Sequence, residues 1–118
     1  MSLLPDPEAT AEVSPESVAA WLEFPENERP RLIDCREAEE LAICEIAGNE
    51  WFPLGGFPGY LPELTNQPAR GVVIYCHHGM RSLRAALFLR SKGFPNAFSM
   101  QGGTDLWSER IDPEMPKY

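Results

Sequence analysis

Only three cysteines, Cys35, Cys44 and Cys76, occur among 118 residues, and no two of them have C-x-x-C spacing. That argues against a disulfide framework and against a zinc site, and reduced thiols suit a reducing compartment. No stretch approaches the roughly 18 apolar residues of a membrane span, and the start lacks the basic-then-apolar order of a secretory signal. The chain is therefore expected to be cytoplasmic and off the membrane. Positive charge is also scarce: 10 Lys and Arg face 18 Asp and Glu, a net charge of −8. This disfavours nucleic acid and anionic membranes as partners and opposes a small anion at long range. Salt screens that opposition beyond about 8 Å, so the few groups lining a site outweigh the distant acidic surface. Neither an internal repeat nor a low-complexity stretch is present.

The chain length suits one domain able to bury about two-thirds of its unfolded surface, so neither a disulfide staple nor a structural metal is needed. The 43% hydrophobic content is ordinary for a globular protein, and the 12 prolines are scattered through connections. Residues 1–12 are polar and aperiodic and read as a loosely ordered arm, leaving 13–118 as the domain. Ser14-Pro15-Glu16 announces a helix ending near 24, with Val18, Trp21 and Leu22 on its apolar face. Short strands are expected at 32–33 and 51–54, with a short helix over 37–43 between them. The segment 55–60 reads as a turn-rich connection, with one helical turn over 61–64. A strand over 72–75, a largely buried helix over 82–92, a strand over 96–100 and a short helix capped by Thr104 complete the chain. Strands alternating with helices imply an α/β domain with a mostly parallel sheet.

The buried run Val72-Val73-Ile74-Tyr75 ends abruptly at Cys76, crosses His77-His78-Gly79 and opens a helix. A sulfur at a helix mouth faces unpaired N–H groups and the positive end of the dipole, which favours the thiolate. The thiolate is the nucleophile, so Cys76 is the candidate for covalent chemistry, with Arg81 and the loop amides holding negative charge. The competing reading is a buried cysteine acting as a small hydrophobe.

Three separate segments resemble one family in order and spacing. Leu32-Ile33-Asp34-Cys35-Arg36 resembles the hydrophobic-hydrophobic-Asp-x-Arg segment of the rhodanese family, Cys76 through Ser82 its C-x-x-G-x-R-S loop, and Gln101-Gly102-Gly103 with Trp107 its terminal signature. The resemblance implies a single rhodanese-like domain with a central five-stranded, mostly parallel sheet flanked by helices on both faces. It also implies a sulfurtransferase in which Cys76 takes sulfane sulfur from thiosulfate or another persulfide donor and passes it to cyanide, a thiol or a protein cysteine. No metal or organic cofactor is implied. The anion-binding loop would comprise His77, His78, Gly79, Met80, Arg81 and Ser82, with Asp34 and Arg36 behind it. Two alternatives stand beside this reading. One is a non-catalytic binding or regulatory module; such relatives commonly lack the cysteine. The other is a phosphatase or arsenate reductase, whose loop in the related members is C-x5-R, against C-x4-R from Cys76 to Arg81 here. The chain departs from the family where many relatives read G-H-I-P-G-A, placing Glu45 at the expected His and Ala47 at the expected Pro.

Individual residues carry their own alternatives. Neighbouring side chains on a curved loop usually diverge, so His77 and His78 read as loop residues tuning the local potential rather than as a general base. Arg81 points either into the loop toward substrate oxygens or outward as a solvated charge. Asp34 and Arg36 read as an ion pair or loop cap. Cys35 or Cys44 can resolve a persulfide as an internal disulfide only within roughly 7 Å of Cys76 by Cα distance; packing is the default for both. Trp107 reads as core or site wall.

Overall fold

The computed structural model describes residues 5–7, 9–67 and 70–118. Five strands, β1 (Glu12–Val13), β2 (Arg31–Asp34), β3 (Glu50–Trp51), β4 (Val72–Tyr75) and β5 (Ala97–Met100), form one sheet in the order β1-β5-β4-β2-β3. Every pairing is parallel, as the alternation of strands and helices implies. Among the described residues, α1 (Pro15–Leu22), α2 (Ala38–Leu41), α3 (Phe57–Leu64) and α4 (Met80–Ser91) lie between strands, and α5 (Gly103–Arg110) follows β5.

A parallel sheet covered on both sides needs apolar residues on both faces, and β2, β4 and β5 are buried throughout. Leu32, Val73 and Phe98 pack with Val18 and Trp21 of α1 and Trp107 of α5. Ile33, Ile74 and Ala97 pack on the opposite face with Leu64 of α3 and Ala85, Ala86 and Leu89 of α4. At about 1.5–3 kcal/mol for each large aliphatic side chain removed from water, these two layers stabilise the sheet against chain entropy. Among the described residues no helix is long and apolar enough to cross a membrane.

Two segments, 55–60 and the start of α4, differ from the sequence-based expectation, and the segment before β1 has contacts of its own. The arm over 1–12 falls partly on residues 1–4 and 8, which lie outside the described residues. Of the rest, Ala11 accepts a hydrogen bond from Ser99 at 2.8 Å, and Val13, the next residue after the arm, accepts one from Gln101 at 2.8 Å. Arg90 also donates to the carbonyls of Pro7 at 2.9 Å and Thr10 at 2.8 Å. The open edge of β5 holds this stretch, since unpaired strand groups and a guanidinium supply partners that local sequence does not reveal. The supposed turn at 55–60 is a short 3₁₀ segment, Leu54–Gly56, running directly into α3. Pro58 fits the first turn of that helix, and burial of Phe57 and Leu64 outweighs the poor helix propensity of the segment. Helix α4 starts at Met80 rather than Ser82, so Met80 and Arg81 belong to its first turn.

Candidate active site

The strand-to-helix junction is shaped by Gly79, whose φ of +101° only glycine adopts comfortably. This turn brings α4 back beneath the sulfur it follows. Gly79 N–H donates to Cys76 Sγ at 3.1 Å and Ser82 N–H at 3.4 Å, while Cys76 Sγ lies 3.5 Å from Ser82 Oγ. Helix α4 has no side-chain N-cap of the usual kind, and the Cys76 sulfur takes that place by accepting from the third helical amide. Ser82 Oγ is itself held 2.7 Å from Ser99 Oγ and donates to Gly79 O at 3.2 Å.

Cys76 is buried, yet its thiol is pulled down to about 4. The Cys35 thiol, hydrogen-bonding to the Cys76 sulfur, is the largest influence; burial opposes the shift, and the Ser82 hydroxyl and the Ser82 and Gly79 amides complete it. Cys35 moves the opposite way, its proton held on by the neighbouring Cys76 anion and by burial. The arrangement is an anion cage fitted to one sulfur atom.

The first turn of α5 closes the cage from outside. Gly102 and Gly103 both have positive φ, +71° and +55°. They aim Thr104 N–H at Cys76 O (2.9 Å) and Asp105 N–H at His77 O (3.1 Å). The expected N-cap, Thr104, instead lies inside α5, because Gly102 caps the helix and the helix amides bond to the loop carbonyls.

Arg81 takes neither orientation expected for it. Its guanidinium forms a two-bond fork with Glu40 of α2 at 2.6 and 2.8 Å. Glu40 also accepts from Tyr118 Oη at 2.7 Å and from Glu37 N–H at 3.1 Å. The fork, foremost, and the tyrosine hold the Glu40 carboxyl down to about 2 against its partial burial. Arg81 remains close enough that its charge is coupled to Cys76 and Cys35. Met80 projects into solvent beside it, 75% exposed.

His77 and His78 do not diverge. Their rings lie 3.8 Å apart, centroid to centroid, and His77 stacks on Tyr118 at 3.8 Å with an interplanar angle of 10°. The Tyr118 ring supplies a platform that the local loop sequence does not contain. His78 Nδ1 is 3.8 Å from Asp105 Oδ2, whereas His77 Nε2 is buried without a partner among the described residues. The hydrogen bonds at the Cys76 sulfur involve Gly79 and Ser82.

Asp34 and Arg36 form a fully buried ion pair at 2.7 Å. Arg36 also donates to Cys44 O at 2.6 Å and Tyr118 Oη at 2.9 Å, so it ties the end of β2 to the segment after α2 and to Tyr118. Trp107 is core and also lines a groove of about 430 Å³ with Glu45 and Ala47, the two positions departing from the family pattern. Glu40 and Tyr118 carried no signal in the sequence: each reaches the site from a distant part of the chain. Among the described residues, no cluster of three or more His, Cys, Asp or Glu side chains is arranged to hold a metal.

A family model described as Rhodanese-like domain matches residues 14–110. The chain is 31% identical over 101 residues to thiosulfate sulfurtransferase GlpE of Pseudoalteromonas translucida, covering 81% of this chain and 93% of that protein. It is 34% identical over 90 residues to the chloroplastic Rhodanese-like/PpiC domain-containing protein 12 of Arabidopsis thaliana, covering 75% of this chain and 30% of that one. The chain spans less than a third of the length of several such curated relatives. The solved structure of a human single-domain sulfurtransferase superposes with a TM-score of 0.71 at 25% identity, over 86% of this chain and 97% of the human one. The fold and site define an α/β domain with a cysteine anion cage, and the chain belongs to the rhodanese-like family. Its kinship is with sulfurtransferases.

Proposed function

We propose that this protein is a sulfurtransferase that carries sulfane sulfur as a persulfide on Cys76. The supporting observation is the convergence of the Gly79 and Ser82 amides on a cysteine sulfur held down to about 4. In the first half-reaction the thiolate attacks the outer sulfur of thiosulfate; the S–S bond breaks and sulfite leaves with its electron pair. In the second, cyanide or a thiolate attacks the outer sulfur of the persulfide and Cys76 leaves as thiolate. Two half-reactions through a covalent intermediate give ping-pong kinetics.

The same amides that hold the thiolate can receive charge as it returns to the Cys76 sulfur, which lowers the barrier to its departure. Arg81 supplies a fork for the oxygens of the donor once they displace Glu40. The donor is then a small anionic sulfur compound and the acceptor a thiol or protein cysteine. The three free thiols suit a reducing cytoplasm.

Brief incubation with thiosulfate should add one sulfur, about 32 Da, to the intact mass. Cyanide should remove it, and Cys76→Ser should never acquire it. A wild-type mass unchanged by thiosulfate and by a low-molecular-weight persulfide would leave the binding-module reading in its place.

A further inference from the structure

Cys35 and Cys76 are lateral neighbours at the ends of adjacent parallel strands. Asp34 of β2 pairs in register with Tyr75 of β4, and Cys35 N–H donates to Tyr75 O at 3.1 Å, so the two cysteines each follow one residue beyond the last ladder pair. Residues in register on parallel strands point to the same side, and both cysteines lie in the cluster of Ile33, Ile74, Ala85 and Ala86. Adjacent strands run about 4.8 Å apart, and a pair that keeps this spacing one residue past the ladder falls inside the roughly 4.4–6.8 Å range of Cα separations that a disulfide spans. Each of the two thiols is the largest influence on the other's ionisation, as neighbouring sulfurs are. Cys44 offers no rival: it lies in the cluster on the other face of the sheet, its sulfur contacted by Arg36 at 3.8 Å.

We propose that Cys35 is a resolving thiol that converts the Cys76 persulfide into a Cys35–Cys76 disulfide with release of sulfide, a second activity needing no external acceptor. It rests on the reading of Cys76 as a persulfide carrier. Once sulfur is loaded, the atom that Cys35 faces is the inner sulfur of the persulfide. Attack there forms the Cys35–Cys76 bond and breaks the bond between inner and outer sulfur, whose electron pair leaves with the outer atom. The Cys35 proton passes to the departing sulfur, so Cys35–SH and Cys76–S–S⁻ give the disulfide and HS⁻. The sulfane sulfur is reduced by two electrons and the two cysteines are oxidised. An external dithiol reductant then reopens the site by exchange.

The chemistry gives the loaded enzyme two fates. An acceptor thiol that arrives promptly takes the outer sulfur; without one, Cys35 discharges it as sulfide and closes the site until a dithiol arrives. The Cys76 anion holds the Cys35 proton in place while the site is empty. When the charge moves to the outer sulfur, that restraint on Cys35 weakens.

The test uses anaerobic wild-type protein and Cys35→Ser, each loaded with thiosulfate, freed of excess donor and left without acceptor. Wild type should pass from the form about 32 Da heavier to one about 2 Da lighter than the reduced chain, releasing one sulfide per chain. Peptide mapping should join Cys35 to Cys76, and Cys35→Ser should keep its added sulfur at least about tenfold longer. Should wild type retain its sulfur, or release sulfide without a Cys35–Cys76 link, the resolving role falls while the persulfide reading stands. If neither protein gains sulfur from thiosulfate or a low-molecular-weight persulfide, the carrier reading fails and takes this one with it. A variant that loads poorly does not blunt the experiment, because the mass and peptide map of the wild type decide it.

Discussion

Glu40 holds Arg81 in a bidentate fork at 2.6 and 2.8 Å, so the cation closest in sequence to the candidate nucleophile is already paired. A donor anion must exchange with this carboxylate. Glu40→Gln removes the competing charge and should lower KM for thiosulfate by about threefold to tenfold, on the order of 1 kcal/mol for a partly exposed pair. Arg81→Ala should raise KM while Cys76 remains open to alkylation. Steady-state kinetics at low and moderate salt check both; equal KM values in Glu40→Gln and wild type would remove Glu40 from donor binding.

The Cys76 thiol, held down to about 4, should be largely ionised from pH 6 to 8. The rate of iodoacetamide alkylation should be flat across that range and fall only as the pH approaches 4. Cys35→Ala removes the largest influence and should move the inflection upward, toward neutrality.

The same shift makes stability depend on pH. A thiol that titrates near 4 when folded and near 9 when unfolded binds more protons in the unfolded chain between those values. Its contribution is fully present above the unfolded value, declines as the pH falls through the window, and is lost below 4. The Tm of wild type minus that of Cys76→Ser should therefore rise steadily from pH 5 to 8.5. The raised Cys35 value adds almost no slope below about pH 8; above that the unfolded Cys35 thiol begins to ionise and opposes the rise.

Gly103 sits against the backbone of the candidate nucleophile. A Cβ added there would collide with the carbonyls of Cys76 and His77, at a φ of +55°. Gly103→Ala should cost about 3 kcal/mol or more by thermal or denaturant unfolding and slow alkylation of Cys76, because the loop must shift.

Asp34→Ala leaves Arg36 buried without its carboxylate partner. The expected cost is about 3–5 kcal/mol, read as a large fall in Tm. Should the variant unfold with wild-type stability, the pair is not the clasp described here.

The parallel α/β layout was legible because apolar strand runs and helical periodicity agreed along most of the chain. Local reading held for the helical turn over 61–64 but failed at 55–60, where Gly and Pro suggest turns and burial of Phe57 and Leu64 extends the helix. Before Val13, the contacts of Pro7, Thr10 and Ala11 with Arg90 and the β5 edge carry no local sequence signal. At the site, Cys76, Gly79 and Ser82 were legible because their hydrogen bonds close within one short loop. Glu40 and Tyr118 were not, since no spacing rule links residues 40 and 118 to residue 81.

The amino-acid order settled the local chemistry: a thiol at a strand end, a glycine able to turn with positive φ, and helix amides three and six residues on. Those are properties of neighbouring covalent units and need no remote partner. Folding alone decided that Arg81 is clasped by Glu40, that His77 lies on Tyr118, and that Cys35 stands beside Cys76. Such pairings arise when the sheet and its helices stack to exclude water, and the register that brings strands together is set by the whole core at once.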